Sequence, residues 1–227
     1  MTPRLNRLAL VACVLAGAVC ALATPADVDA RIREGEALLK KAAIGESGAA
    51  DRAFAAFDIA LQMDPARARA RAGRGLALIA QALEAPMAQK LPLARRGCAD
   101  LDAAVAGAPD DVEVRLMRAA NAVQMPLVLK RRAVAESDFT VLLGAARDNQ
   151  VTMTPETRRS IFFQAAAFAL KERRPAAVDL LEEAASISAT EPTDEQVQSM
   201  LALARRQLTS PSHADRQTPA EGPASRP

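Results

Sequence analysis

Aromatic side chains are scarce in this sequence of 227 residues, which contains no Trp, no Tyr and only six Phe. Strands of sandwiches and barrels are rich in aromatic and β-branched residues, so this scarcity argues against an all-β fold. Half of the residues are hydrophobic, too many for a wholly disordered chain. Alanine alone occupies 53 positions and is the strongest helix former. The composition therefore predicts a helical protein with a sizeable core.

Cysteine and histidine are almost absent from the body of the chain. Cys13 and Cys20 lie in the N-terminal segment and His213 lies near the C-terminus, which leaves Cys98 between them. Ser-His-Asp and Cys-His catalysis, and metal sites built from Cys and His, lack their residues here. We predict no catalytic residue, no cofactor and no metal, and we expect Cys98 to be buried in a packed helix.

The first 23 residues have the layout of a secretory signal. Two arginines precede an apolar run over residues 8–22, and Ala-Leu-Ala at 21–23 is a small-x-small cleavage site. The run is too short and too rich in alanine for a membrane span, which needs about 20 strongly apolar residues. We predict a periplasmic or secreted protein cleaved near Ala23. An uncleaved anchor or a lipidated cysteine is the alternative, and membrane contact is expected only in those cases.

The net charge of +2 belongs to this signal, because the remainder has 27 basic and 27 acidic residues. Without net charge, Trp or Tyr, the chain is not expected to bind nucleic acid. Arginine outnumbers lysine 24 to 5. Two arginine groups stand out: Arg67, Arg69, Arg71 and Arg74, and Arg115, Arg118, Arg131 and Arg132. We interpret both groups as solvated and locally paired, with an anion-binding rim as the alternative.

Residues 27–208 alternate helical periodicity with helix breakers. Apolar residues recur at three- and four-residue spacing, for example Leu76, Ile79 and Leu83. Proline disfavours a helix at the residue before it, so each proline marks a predicted boundary. These boundaries include Pro65, Pro86, Pro92, Pro109, Pro126, Pro155 and Pro192. No segment alternates as a strand does, so the predicted fold is all-α. Residues 209–227 are rich in Pro, Ala and Ser and predict a disordered tail.

A short pattern recurs in four of the predicted helices: a small residue, a large apolar residue four positions later, and a compact or apolar residue three positions further. The copies are Ala53/Phe57/Ala60, Gly97/Leu101/Ala104, Ala135/Phe139/Leu142 and Ala177/Leu181/Ala184. A breaker follows each copy and another apolar helix precedes it, so the unit is a helical hairpin. Stacked hairpins share a core that a single hairpin cannot bury.

The pattern resembles the second helix of the tetratricopeptide repeat, most closely over residues 54–65. Matching pairs in the first helices are Gly75/Leu78 and Ala165/Phe168. The copies lie 44, 38 and 42 residues apart, against about 34 in the family, and we place the excess in loops such as 84–92. The resemblance covers residues 31–192 and implies a right-handed α-solenoid of about four hairpins. A non-repetitive helical bundle is the alternative.

One more helix is expected after the hairpins. Thr193 and Gln196 have the spacing of a capping box, which marks a helix start. The residues that follow are amphipathic through Val197, Leu201 and Leu208. We interpret this helix as a cap on the array. The alternative is a helix that docks into the groove of its own or another molecule.

In tetratricopeptide proteins the first helices line a concave groove that receives a peptide or helix. Carried over by position, the partner-binding candidates are Arg69, Leu76, Ile79, Leu116, Val123, Arg159 and Phe162. The resemblance implies a non-catalytic adaptor or assembly factor that binds another envelope or periplasmic protein, through an amphipathic helix or a peptide.

Two other functions stay open at this point. A hydrolase or accessory subunit acting on cell-wall glycan would need two carboxylates in one cleft. The candidate pairs are Asp110 with Asp111, Glu182 with Glu183, and Asp100 with Asp102. A carrier of a small apolar ligand would need an enclosed cavity rather than an open groove.

Overall fold

The computed structural model describes residues 24–209, and nine α-helices and one 3₁₀ helix account for most of them. The helices are α1 (Pro25–Ala43), α2 (Ala49–Met63), α3 (Ala68–Glu84), α4 (Met87–Gly107), α5 (Val112–Gln124), the 3₁₀ helix (Leu127–Leu129), α6 (Arg132–Arg147), α7 (Pro155–Lys171), α8 (Ala176–Ala185) and α9 (Asp194–Thr209). No strand occurs in this range, so the all-α prediction is confirmed. The predicted signal and, beyond Thr209, the predicted tail lie outside the described residues.

The chain divides into two compact units between Asp138 and Phe139, a point inside α6. In the first unit α1 packs against α2, α2 against α3, α3 against α4, and α4 against α5. Short links between contacting helices make consecutive helices antiparallel. Alternate helices therefore run parallel, and α3 also contacts both α1 and α5. In the second unit α7 packs against α8, and α9 packs against both of them.

The recurring pattern marks buried positions. All twelve of its residues are buried, from Ala53 in α2 to Ala184 in α8. The large member of the first copy, Phe57, lies in a core cluster with Val28 and Ile32 of α1. In the second unit the rings of Phe139 and Phe168 stack with their centroids 5.8 Å apart. The small residues of the pattern therefore face the helices against which their own helix packs.

Glycines allow the closest approaches between helices in the first unit. A Cβ on Gly35 of α1 would lie 2.6 Å from the Phe57 ring, and one on Gly73 of α3 would lie 2.3 Å from it. A Cβ on Gly97 of α4 would lie 2.5 Å from the carbonyl oxygen of Gly75 in α3. No side chain fits at these contacts, because real Cβ atoms do not approach their neighbours so closely.

One predicted boundary was wrong. Pro92 does not end a helix but is the sixth residue of α4, whose 21 residues run from Met87 to Gly107. There it removes only the hydrogen bond that would reach the carbonyl of Ala88, which is exposed near the helix start. Only residues 85–86 separate α3 from α4, so the loop predicted at 84–92 is absent. The long α4 contains the additional residues of this hairpin instead.

The start of the last helix agrees with the predicted capping box. The backbone N–H of Gln196 donates to Oγ1 of Thr193 over 3.2 Å, and that of Thr193 donates to Oε1 of Gln196 over 2.8 Å. Val197 and Leu201 are buried, on the helix that packs against α8 and α7. The predicted start and the buried apolar face of α9 are therefore confirmed.

Cys98 is 6% exposed within α4, as predicted. Burial raises the pKa of its thiol above the usual value, which keeps the thiol protonated and unreactive at neutral pH. None of the helices described between residues 24 and 209 combines the length and apolarity needed to cross a bilayer.

Candidate binding surfaces

A surface groove of about 400 Å³ lies between α1 and α3 in the first unit. Its walls are mainly aliphatic and include Leu39, Ala42, Leu76, Ile79, Ala80 and Leu83. Two of the predicted partner-binding residues, Leu76 and Ile79, therefore lie in one groove. We refer to it as the α1–α3 groove.

The α1–α3 groove has a floor and a mouth of different exposure. Ile79 is only 7% exposed and packs closely on Gly97 of α4, so it forms the floor. Leu76 is half-buried against the core between α3 and α4. Leu83 is 75% exposed at the C-terminal end of α3. A ligand can therefore reach aliphatic side chains here without any rearrangement of the core.

Arg69 links the three parallel helices of the first unit. Its Nε donates to Oε1 of Glu36 in α1 over 2.7 Å, and its Nη1 donates to Oε2 of Glu113 in α5 over 2.5 Å. The bond to Glu36 is the main reason that the pKa of Arg69 lies above its usual value. The guanidinium group is already bonded to both carboxylates. Arg69 therefore joins helices rather than presenting an open anion site.

The other two candidates of the first unit lie on α5. Leu116 is half-buried and Val123 is 7% exposed. Neither of them lines the α1–α3 groove. Their role as ligand contacts stays a prediction.

The candidates of the second unit are buried in α7. Arg159 is 1% exposed, donates from Nη1 to the carbonyl of Ala189 over 2.9 Å, and forms an ion pair with Asp194 at the start of α9. Phe162 is 4% exposed, and the guanidinium carbon of Arg147 lies 5.8 Å from its ring centroid. Both residues pack the second unit in this structure, and their part in partner binding stays a prediction.

A second groove, of about 420 Å³, lies between α7 and α9. Phe163, Met200 and Leu203 supply its apolar lining. Sequence reasoning selected Phe162 and missed Phe163, since adjacent helical residues point about 100° apart and only packing decides which of them is covered. The amphipathic pattern of α9, in which Met200 and Leu203 flank buried Leu201, was the available signal.

Sequence reasoning also missed a network of arginines and aspartates around Asp138, which is fully buried in α6. Arg118 of α5 donates to both carboxylate oxygens of Asp138 over 2.8 and 2.7 Å, and Arg115 donates over 3.0 Å. Arg131 binds both oxygens of Asp102 in α4 over 2.7 and 2.6 Å. These bonds raise the pKa values of Arg118 and Arg131. We call this set the arginine–aspartate network.

Most arginines of the two groups are paired, as predicted, but the prediction that they are solvated was wrong for Arg115, Arg118 and Arg131, whose side chains are 12% to 17% exposed. In the first group Arg74 binds Asp100 over 2.8 Å and Asp58 over 3.0 Å, and Arg67 pairs with Asp29. In the second group Arg115, Arg118 and Arg131 form the network just described. These arginines donate hydrogen bonds to carboxylates of neighbouring helices.

The carboxylates proposed for glycan hydrolysis have other contacts in this structure. Asp111 caps α5 by accepting from the backbone N–H groups of Glu113 and Val114. The arginine partners are Arg74 for Asp100, Arg131 for Asp102, Arg205 for Glu182 and Arg147 for Glu183. Between residues 24 and 209, no three His, Cys, Asp or Glu side chains are grouped as metal ligands would be.

The described residues define an all-α protein built from paired helices. No family model matches the chain, and no curated protein or solved structure gives a significant match. The resemblance to tetratricopeptide repeats therefore stays a prediction that rests on the chain's own residues.

Proposed function

We propose that this protein is an exported, non-catalytic adaptor whose α1–α3 groove binds an amphipathic helix or peptide of another envelope protein. The α1–α3 groove carries the proposal, because it offers about 400 Å³ between aliphatic walls at the surface. A partner helix with apolar side chains at three- and four-residue spacing would bury its apolar face there. Leu39 and Leu76 would form the walls of that contact, and Leu83 would cover its end.

A tetratricopeptide-like stack of hairpins is part of the proposal. Its support is the set of contacts that α3 makes with the parallel helices α1 and α5, and the burial of all twelve pattern residues. In such a stack the first helices of successive hairpins lie side by side, so a groove between α1 and α3 belongs to the ligand-binding face. In the second unit α9 packs on the preceding hairpin as a capping helix would.

Export is compatible with the way in which α1 begins. Cleavage after Ala23 would leave Thr24 as the first residue, and Thr24 is the N-cap of α1. Thr24 and Asp27 form a reciprocal capping box, so the cut would remove nothing that the helix start uses. The mass of the protein from a periplasmic fraction should match a chain that begins at Thr24. Full-length protein confined to the cytoplasmic fraction would contradict export.

The groove assignment can be tested by filling the groove. Ala80 is a half-buried residue of α3 that lines it, so Ala80→Arg places a long charged side chain where the partner would lie. Ala103→Arg is the matched control, because Ala103 is exposed on α4 and does not line this groove. Tagged wild-type and variant proteins would be used to capture partners from an envelope extract.

We expect a partner that wild-type protein and Ala103→Arg retain and that Ala80→Arg loses by at least about tenfold, the effect of some 1.4 kcal/mol. Thermal unfolding followed by circular dichroism would verify that both variants are folded. Equal capture by the two folded variants would exclude the α1–α3 groove as the binding site.

A further inference from the structure

One end of the first unit exposes large apolar side chains. The parallel helices α1, α3 and α5 all end there, and five residues follow or adjoin these ends: Ile44, Leu83, Met87, Leu127 and Val128. They are 85%, 75%, 82%, 89% and 61% exposed, respectively. Eight large hydrophobic residues are exposed in the part of the chain that the structure describes, and five of them belong to this set. We call the five residues the apolar edge.

Lysine is concentrated at the same end. Four of the five lysines of the chain lie there: Lys40, Lys41, Lys90 and Lys130. The three segments that connect the helices, residues 40–48, 83–90 and 125–132, contain six basic and two acidic residues. Residues 24–209 as a whole contain 25 of each, so these segments are positive within a range that is neutral overall, even when Arg131, which pairs with Asp102, is left out.

Helix-end electrostatics explains part of this arrangement. Cations are favourable at helix C-termini, which accounts for Lys40 and Lys41 in the last turn of α1. Lys90 donates to the carbonyl of Leu83 at the end of α3 over 3.0 Å. No such reason exists for the apolar residues between them, because side chains that are 61% to 89% exposed pack little of the core. Neither Lys40 nor Lys130 has an ion-pair partner within 4.0 Å among the described residues.

We propose that the apolar edge docks this protein on a bilayer surface that contains anionic lipid. The aliphatic side chains would enter the boundary between headgroups and acyl chains, and the lysines would meet lipid phosphates with their stems along the apolar surface. Charge complementarity argues for this occupant, since the edge is positive and the lipid headgroups are negative. This surface is distinct from the α1–α3 groove except for Leu83, so the two proposals can fail separately.

The residue types favour lipid over a protein partner. Protein interfaces are enriched in aromatic residues and arginine and depleted in lysine. The apolar edge contains no aromatic residue, and four of the six basic residues in the connections that carry it are lysines. Its residues also come from three separate connections at one end of the unit, which makes a broad surface rather than a pocket for a single side chain.

Vesicle binding of the full chain is the first test. Wild-type protein should sediment more with vesicles of phosphatidylcholine and about 30% phosphatidylglycerol than with vesicles of pure phosphatidylcholine. Added salt should weaken this binding, because it screens the attraction between lysines and anionic lipid. Each lysine near such a surface contributes about fivefold, so Lys40→Gln with Lys130→Gln should lower the partition coefficient about 25-fold. Leu127→Ser with Val128→Ser should lower it further than Val141→Ser, a control at an exposed valine of α6.

A dye at the apolar edge separates this mode of binding from contact through any other segment. Val128→Cys would be labelled with a polarity-sensitive fluorophore in a chain that also has Cys13→Ser and Cys20→Ser, while buried Cys98 stays unlabelled. Anionic vesicles should shift the emission to the blue. The same dye on Val141→Cys should not shift.

Three results would overturn the proposal. One is the absence of binding to anionic vesicles at low salt. Another is equal binding by the edge variants and Val141→Ser, with all variants folded by circular dichroism. The third is an unshifted emission of the dye at Val128→Cys while the protein is bound to vesicles, which would place the contact elsewhere. If the partner of the apolar edge is an acidic protein instead of lipid, the first or the third result is expected.

Discussion

Two parts of the first unit use basic residues in opposite ways. In the arginine–aspartate network, Arg115 and Arg118 enclose a carboxylate with no exposed surface, Asp138. Beside the apolar edge, Lys40 and Lys130 are exposed and have no carboxylate partner among the described residues. A planar guanidinium can bind both oxygens of a carboxylate, whereas an ammonium is compact and strongly hydrated. The arginines therefore hold helices together, and the lysines remain available to solvent or to a surface.

The largest expected effect is that of removing the buried carboxylate. Asp138→Ala removes the carboxylate that the partly buried guanidinium groups of Arg115 and Arg118 share, so we expect a loss of about 3–5 kcal/mol in the free energy of unfolding. Urea unfolding followed by circular dichroism measures it. Asp110→Ala is the control, because Asp110 is exposed beside the start of α5 and should change stability by no more than about 0.5 kcal/mol. Similar values for the two variants would show that the network does not stabilise the fold.

A conservative exchange tests why the network uses arginine. Arg118 donates to two oxygens of Asp138, and a lysine cannot reproduce that two-point contact. We expect Arg118→Lys to lose about 1–2 kcal/mol of stability in the same urea experiment. Lys40→Arg, the reverse exchange at the edge, should be neutral. An equally stable Arg118→Lys would mean that charge alone suffices.

The apolar edge should respond differently. Leu127→Ser with Val128→Ser should change the free energy of unfolding by less than about 0.5 kcal/mol, because both side chains are mostly exposed in the folded protein. The thermal midpoint of the double variant, compared with that of wild type, checks this. A loss above about 2 kcal/mol would show that these residues pack against the protein, and the difference between the two regions would then disappear.

The smallest effect concerns acid pH and Glu46, which lies two residues after Ile44 of the apolar edge. A hydrogen bond from Arg52, with a further contribution from Lys41, holds the pKa of Glu46 below its usual value of 4.5. A carboxyl group whose pKa is lower in the folded chain stabilises the fold above its unfolded pKa and loses this contribution as the pH falls through the folded value. Wild type should therefore be slightly more stable than Glu46→Gln at neutral pH and equally stable in strong acid. Thermal midpoints across that range measure the difference, and a constant difference would contradict the titration of Glu46.

The helical framework could be predicted because its signals are local. The capping pair Thr193 and Gln196 lies three positions apart, and the pattern around Phe57 spans seven residues, so each occurs within one helix. Pro92 shows the limit of such signals. A proline is a strong breaker in the interior of a helix, yet as the sixth residue of α4 it costs one exposed hydrogen bond.

The candidate site was predictable only in part. Leu76 and Ile79 face a groove because α1 lies beside α3, and the apolar spacing on α3 indicated which face that would be. Arg159 and Phe162 satisfy the same spacing on α7 but are covered by their own unit. Periodicity identifies an apolar face, and it does not tell which part of that face a neighbouring helix covers.

The sequence by itself determined most of the helical segments, where α9 begins and that the twelve pattern residues are buried, since hydrogen bonds and apolar periodicity act within a few positions. The tertiary structure decided the partners of the arginines. Arg118 and Asp138 are 20 positions apart and Arg69 and Glu113 are 44 apart, so their ion pairs exist only once particular helices lie side by side. It also decided the apolar edge, because parallel packing of α1, α3 and α5 brings to one end residues that the chain keeps tens of positions apart.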